Sequence, residues 1–244
     1  MTKVMGIVNV TPDSFSDGGM YFKPEQALAR AANCIEEGAD IIDVGGESTR
    51  PGAEPVDWET EWSRIEPVVS GLAAMAKAPV ISVDTYHVET ARRALDAGAG
   101  IVNCVMPEPI PELLELCAER KAELVMPASC AGLAEGRGMS DMVYLDPMIG
   151  FGTTREEDIE LLKSVPELAK RGRVLVGASR KRIVKKLVGD KVLGRDASGS
   201  VALALWCAAS GACAVRVHDV RETVRALRVF RALGPIAGSS NPGI

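Results

Sequence analysis

Short apolar runs rich in valine and isoleucine recur along the whole chain, and most precede a longer stretch with helical spacing of its apolar residues. Strands that are apolar on both faces are typical of a parallel sheet covered by helices. This alternation occurs eight times and predicts a closed (β/α)₈, or TIM, barrel. The predicted strands are Val4–Val10, Asp40–Gly46, Val80–Asp84, Gly100–Val105, Glu123–Ala128, Val143–Asp146, Val174–Gly177 and Ala212–Val217.

The length of 244 residues suits one such barrel, which needs about 250 residues as a single unit. We therefore expect one domain over residues 1–233, followed by a flexible tail rich in Gly, Pro and Ser over residues 234–244. A doubly wound open sheet is the alternative for the same alternation of strands and helices.

The connector between the fifth and sixth predicted strands, Ser129–Asp141, is unusually short. Its glycines Gly132, Gly136 and Gly138 disfavour a helix, so we expect the helix here to be shortened or absent. The outer faces of the two adjoining strands would then be partly bare. Neighbouring helices, the connector itself or a partner subunit would have to shield them.

Polar residues stand at the carboxyl ends of the predicted strands, where a buried strand would not place them for packing. In a barrel these ends meet on one face, where active sites are built. Some of these residues could instead cap the following helices. The set is Asn9, Asp43, Asp84, Asn103, Asp146, Lys181, Arg216 and His218.

Several of these residues suggest the chemistry of a ligand. Arg216 and His218 are two apart on the last predicted strand, so both point to one side and could hold an anion. Carboxylates such as Asp84, with the amide of Asn103, match the donors and acceptors of a flat heterocycle. Two long loops, residues 9–19 and 45–53, follow the first two strands, and the second carries Arg50.

Charge and cysteine content exclude several classes of protein. The net charge of −5 and the pI near 5.3 argue against a general nucleic-acid binder. The chain offers no membrane span and no secretion signal, so we expect a cytoplasmic protein with small-molecule substrates. Its six cysteines form no CxxC pair, which disfavours structural zinc and indicates free thiols.

Six segments resemble, in order, the signatures of dihydropteroate synthases. The resemblance runs from Met5 to about Leu227, and the first two segments are the most specific. The segments are NVTPDSFSDGG from Asn9, GGESTRPGA from Gly45, VDT at Val83–Thr85, LDPMIGFG at Leu145–Gly152, SRK at Ser179–Lys181 and RVHDV at Arg216–Val220.

This resemblance implies a homodimeric barrel that uses Mg²⁺ and joins 6-hydroxymethyl-7,8-dihydropterin diphosphate to p-aminobenzoate. By the family pattern, Asp84, Lys181 and Arg50 are the catalytic residues, and Asn9 lies near the metal. The pterin would be bound by Asp84, Asn103, Met126, Asp146, Phe151 and Lys181. The diphosphate would be bound by Asn9, Thr49, Arg50, Arg216 and His218.

The chain departs from the family pattern at two residues beside these sites. Cys104 follows Asn103 where the family usually has Asp, and Arg182 replaces a Ser beside the expected arylamine carboxylate. Arg182 is therefore the candidate arylamine-binding residue. Two other functions remain open for this pattern: a corrinoid-linked methyltransferase that uses a methylated pterin, and a pterin-binding protein without turnover.

Overall fold

A computed structural model of the chain describes residues 1–11, 24–47, 54–189 and 197–234. Eight parallel strands close into one barrel in chain order, which confirms the predicted architecture and excludes the open sheet. The predicted tail lies outside the described residues apart from Gly234. The strands are β1 (Lys3–Asn9), β2 (Ile41–Gly45), β3 (Val80–Asp84), β4 (Ile101–Asn103), β5 (Glu123–Pro127), β6 (Val143–Asp146), β7 (Arg173–Val176) and β8 (Ala214–Val217).

The helices surround the barrel, and each connection between consecutive strands contains at least one of them. Between β6 and β7, and again between β7 and β8, the chain forms two helices. None of the helices in the described ranges is long and apolar enough to cross a membrane. The helices are α1 (Pro24–Glu37), α2 (Trp58–Ala73), α3 (Val88–Asp96), α4 (Ile110–Arg120), α5 (Ala131–Glu135), α6 (Arg155–Lys163), α7 (Val165–Arg171), α8 (Arg182–Val188), α9 (Ser198–Ala209) and α10 (Val220–Leu233).

Side-chain alternation along the strands separates an inner core from an outer core. The inner core is one small cluster of fully buried side chains, whereas the outward residues pack between the strands and the helices. Because side chains alternate along a strand, the residues two positions beyond the inner cluster also face the barrel interior. The inner cluster is Met5, Ile41, Ile101, Val125, Tyr144, Leu175 and Ala214.

The connector between β5 and β6 keeps only a short helix, as the glycines predict. The helix α5 has five residues and lies between two single 3₁₀ turns, Ala128–Cys130 and Ser140–Met142. The outward side chains of β5 and β6 are buried, which confirms the expectation that these strand faces are shielded. Ala131, Ala134 and Met139 of the connector belong to the same apolar cluster and shield them.

Hydrogen exchange can test how far this cover compensates for the shortened helix. We expect β6 to be protected as well as β1, because both are buried and paired on two sides. The backbone amides of Gly136, Arg137 and Gly138 should exchange faster, because only single local turns hold them. Exchange in β6 that is faster than in β1 would contradict the cover and locate a weak point in the barrel wall.

Candidate active site

An ion-paired cluster lies in the barrel interior just above the inner core. Arg216 on β8 donates from Nε to Asp43 Oδ2 at 2.6 Å and from Nη2 to Asp84 Oδ2 at 2.6 Å. The amide of Asn103 donates to the same oxygen of Asp43 at 3.3 Å. The strand ends β2, β3, β4 and β8 therefore meet in one hydrogen-bonded group, as their polar residues predict.

Burial strongly affects the protonation of this cluster. Burial raises the pKa of Asp84 to about 7, although the Arg216 guanidinium opposes the shift. Burial alone would lower the pKa of Arg216, but the Asp43 and Asp84 carboxylates raise it instead. The other oxygen of Asp43 and the amide oxygen of Asn103 are buried without a hydrogen-bond partner. Buried polar atoms without partners are rare, so these two acceptors are suited to a bound ligand or an ordered water.

A second group of residues at the mouth surrounds Lys181. Its Nζ donates to the carbonyl of Ile149 at 2.5 Å and lies 4.1 Å from the centre of the Phe151 ring. Burial lowers the pKa of Lys181, and the Asp146 carboxylate partly offsets this. Burial also raises the pKa of Asp146, which accepts the amide of Met148 at 2.7 Å.

His218 lies one residue past the end of β8, beside a polar cavity of ≈ 430 Å³ that Asn9, Arg30 and Arg180 also line. Its Nδ1 is 3.2 Å from the hydroxyl of Ser179. Burial, followed by the charges of Arg180 and Arg216, lowers the pKa of His218 to about 4. The ring is therefore neutral at pH 7 and can donate one hydrogen bond to an anion.

Arg216 and His218 were expected to bind one anion together, but in this structure their side chains have different partners. Arg216 lies within the barrel, where Asp43 and Asp84 occupy its planar fork. His218 contacts Ser179 at the rim instead. Arg216 is thus placed among the residues that the family pattern assigns to the pterin.

Four predicted site residues remain: Met126, Arg182, Thr49 and Arg50. Met126 is fully buried in the outer core, because its neighbour Val125 occupies the interior face of β5. The prediction that Met126 contacts a ligand in the barrel is therefore wrong. Arg182 is exposed at the start of α8, without an ion pair to another described residue. Thr49 and Arg50 lie outside the described residues.

The sequence places Asp43 at a strand end, but no ligand was predicted for it. It is 0% exposed and contacts both Arg216 and Asn103. An aspartate in a run that is otherwise Ile, Val and Gly was the available signal, since an unpaired buried carboxylate is costly. The partners that explain Asp43 come from β4 and β8, more than 50 residues away in sequence.

The fold and this site define a (β/α)₈-barrel enzyme whose mouth combines buried carboxylates, an amide and cations at the carboxyl ends of its strands. The sequence pattern of the family described as "Pterin binding enzyme" matches residues 5–135 and 128–218. This chain belongs to the pterin binding enzymes and, more narrowly, to the dihydropteroate synthases.

The narrower assignment rests on relatives that match along nearly the whole chain. Dihydropteroate synthase of Neisseria meningitidis serogroup C is 38% identical, with 95% of this chain and 93% of the relative covered. The structure of Xanthomonas albilineans dihydropteroate synthase with 4-aminobenzoic acid has a TM-score of 0.87 at 39% identity, covering 96% of this chain and 94% of the other. The same enzyme in complex with 7,8-dihydropteroate gives a TM-score of 0.84 at 37% identity, with the same coverage.

Proposed function

We propose that this chain condenses 6-hydroxymethyl-7,8-dihydropterin diphosphate with p-aminobenzoate to give 7,8-dihydropteroate and pyrophosphate. The observation that carries this proposal is the convergence of Asp84, Asn103, Arg216, Asp146 and Lys181 at one barrel mouth. A flat ring with amino and ring N–H groups needs carboxylates and an amide in this kind of arrangement.

The pterin would lie above the inner core, between the Asp84 group and the Lys181 group. The unpartnered amide oxygen of Asn103 is available to accept a hydrogen bond from the ring. Asp84 and Asp146 would accept from its amino and ring N–H groups, and Lys181 and Phe151 would bound the pocket. Asp84 and Lys181 are then the catalytic residues in the described part of the chain.

The diphosphate would bind nearer the rim, where Asn9 and His218 line the polar cavity. Arg216 could turn its fork from Asp84 to the diphosphate, because a doubly charged phosphate offers the same bidentate geometry. Thr49 and Arg50 would contribute from the loop after β2.

We propose that Mg²⁺ is held at this site jointly by protein and substrate. The described residues contain no group of three His, Cys, Asp or Glu side chains that could bind it alone. Mg²⁺ usually keeps several waters and takes one or two protein ligands together with substrate phosphates, so the side-chain oxygen of Asn9 is a suitable ligand. When bound, Mg²⁺ supplies positive charge that stabilises the departing diphosphate.

We propose a dissociative substitution. The bond from the pterin methylene carbon to the diphosphate oxygen breaks first, and the leaving group takes the electron pair. The ionised Asp84 carboxylate stabilises the resulting pterin methylene cation, while Arg216, Arg50 and His218 stabilise the diphosphate. The amine nitrogen then attacks the methylene carbon and gives up a proton to solvent or pyrophosphate. Such a route requires no covalent nucleophile.

One assay tests this function. The purified protein is incubated with the pterin diphosphate, Mg²⁺ and p-aminobenzoate, and dihydropteroate and pyrophosphate are measured. We expect both products in equal amounts. Binding of the pterin without either product would indicate a non-catalytic pterin-binding protein, and methyl transfer from a methylated pterin would indicate the corrinoid-linked reaction.

Arg182 would pair with the carboxylate of the arylamine. It is exposed at the first position of α8, directly after Lys181, and its charge is not used by another described residue. We expect Arg182→Ser to raise KM for p-aminobenzoate about three- to fivefold, the effect of one exposed ion pair. KM for the neutral p-aminobenzamide should stay unchanged. Equal changes for both amines would contradict a charge pairing.

We also propose a cytoplasmic homodimer. Large apolar side chains are exposed by 41% to 81% on three neighbouring helices, α8, α9 and α10. A second copy of this chain would cover them, and sedimentation velocity tests this. The exposed side chains are Leu187, Val188, Trp206, Val229 and Leu233.

All six cysteines are free thiols, which supports a reducing compartment such as the cytoplasm.

A further inference from the structure

The loop after β6 follows an unusual backbone path around Lys181. Met148, Gly150 and Gly152 all have positive φ values, of 67°, 77° and 70°. A non-glycine residue such as Met148 in this region is strained and persists only where surrounding contacts hold it. The Met148 amide is held from the barrel side by Asp146. A second anchor holds the loop from its helical side.

Asp158 on α6 provides that anchor. Its Oδ1 accepts the backbone amide of Gly150 at 2.7 Å and the hydroxyl of Thr153 at 2.6 Å. Asp158 is 2% exposed, and the proposed reaction assigns it no contact with either substrate. A buried carboxylate is costly unless hydrogen bonds or a cation compensate it, and the Gly150 amide and the Thr153 hydroxyl supply such hydrogen bonds to Asp158.

Gly150, whose amide Asp158 holds, lies between the two loop residues that contact Lys181. Ile149, just before Gly150, accepts the Lys181 ammonium, and Phe151, just after it, lies against the same group. A Cβ on Gly150 would come within 3.0 Å of the Lys181 side chain. Three consecutive loop residues therefore surround Lys181, and Asp158 holds the middle one.

We infer that Asp158 is a positioning residue for pterin binding: through Gly150 and Thr153 it sets the place and charge of Lys181. This inference rests on the proposed role of Lys181 as a pterin ligand. Burial lowers the pKa of Lys181, while Asp146 raises it and Arg216 lowers it. The carboxylates of Asp158 and Asp84 also raise it, so the charge of Asp158 as well as its hydrogen bonds acts on Lys181.

The test compares three variants by two readouts, the Kd of the pterin by calorimetry and the hydrogen exchange of the Gly150 amide. Asp158→Leu should free the Gly150 amide and weaken pterin binding about tenfold, or 1.4 kcal/mol. Asp158→Asn keeps an acceptor oxygen and should restore both readouts to within about threefold. Thr154→Ala removes the capping box at the start of the same helix and should lower Tm without changing either readout.

A pH series makes the inference testable even if Asp158→Leu does not fold. Asp158→Asn removes the negative charge, so pterin affinity should be lost at a lower alkaline pH than in the wild type. An unshifted alkaline limb, or wild-type pterin affinity in Asp158→Leu, would overturn the positioning role. A wild-type protein that binds no pterin would contradict the proposed function, while the Gly150 exchange would still report the Asp158 anchor.

Discussion

Replacing Arg216 with alanine is expected to lower the free energy of unfolding by about 3–5 kcal/mol, the usual cost of removing one partner from a buried ion pair. Without the guanidinium, Asp43 and Asp84 would face each other in the barrel interior with no cation between them. The same variant loses the fork proposed for the diphosphate. We therefore expect the Kd of pyrophosphate to rise more than the Kd of a pterin without diphosphate.

The pH dependence of stability should change in a defined direction. In the wild type, the pKa of Asp84 is raised from 3.8 to about 7, so the unfolded chain releases this proton first and stability falls as the pH rises from about 4 to 7. Arg216 opposes this rise in pKa. In Arg216→Ala the pKa of Asp84 should rise further, and the loss of stability should extend above pH 7.

Urea unfolding at several pH values and calorimetry with each ligand provide the measurements. Arg216→Lys is the matched control, because it keeps a cation but lacks the planar fork that reaches two carboxylates. It should recover part of the stability and little of the pyrophosphate affinity. Equal losses of affinity for pyrophosphate and pterin in Arg216→Ala would identify Arg216 as a general structural residue.

Asp84→Asn is expected to lower kcat by about 10²–10³-fold, comparable to the loss of one preorganised electrostatic contact in a transition state. The full negative charge of Asp84 matters most when the pterin methylene cation forms, whereas the amide retains much of the hydrogen bonding to the ring. The unfolding free energy should change by only about 1 kcal/mol, because Arg216 keeps its ion pair with Asp43 and the new amide still offers it an acceptor oxygen.

The pH profile distinguishes this role from simple pterin binding. If the ionised carboxylate is required, kcat/KM of the wild type should fall as the pH drops below about 7, the pKa of Asp84 in the free enzyme. Asp84→Asn should lack this limb. A variant with an unchanged kcat would contradict the role of Asp84 in stabilising the cation.

The hydrophobic pattern predicted the strands and favoured the barrel, and only the observed closure excluded the open sheet. Runs such as Val80–Asp84 and Val143–Asp146 match the observed strands residue for residue, because a strand buried on both faces is apolar along most of its length. The same pattern could not show which face of a strand points inward. For this reason the prediction for Met126 was wrong, since both Val125 and Met126 are apolar and only closure of the barrel distinguishes them.

The sequence by itself determined which residues reach the mouth, because parallel strands end on one face and a polar residue at such an end is seldom there for packing. Only the tertiary structure decided how those residues pair. Arg216 forms ion pairs with Asp43 and Asp84 instead of joining His218, and Asp158 reaches Gly150 from a helix whose sequence reads as an ordinary charged surface. Such pairings depend on distances between elements far apart in the chain, and neither local spacing nor residue type gives those distances.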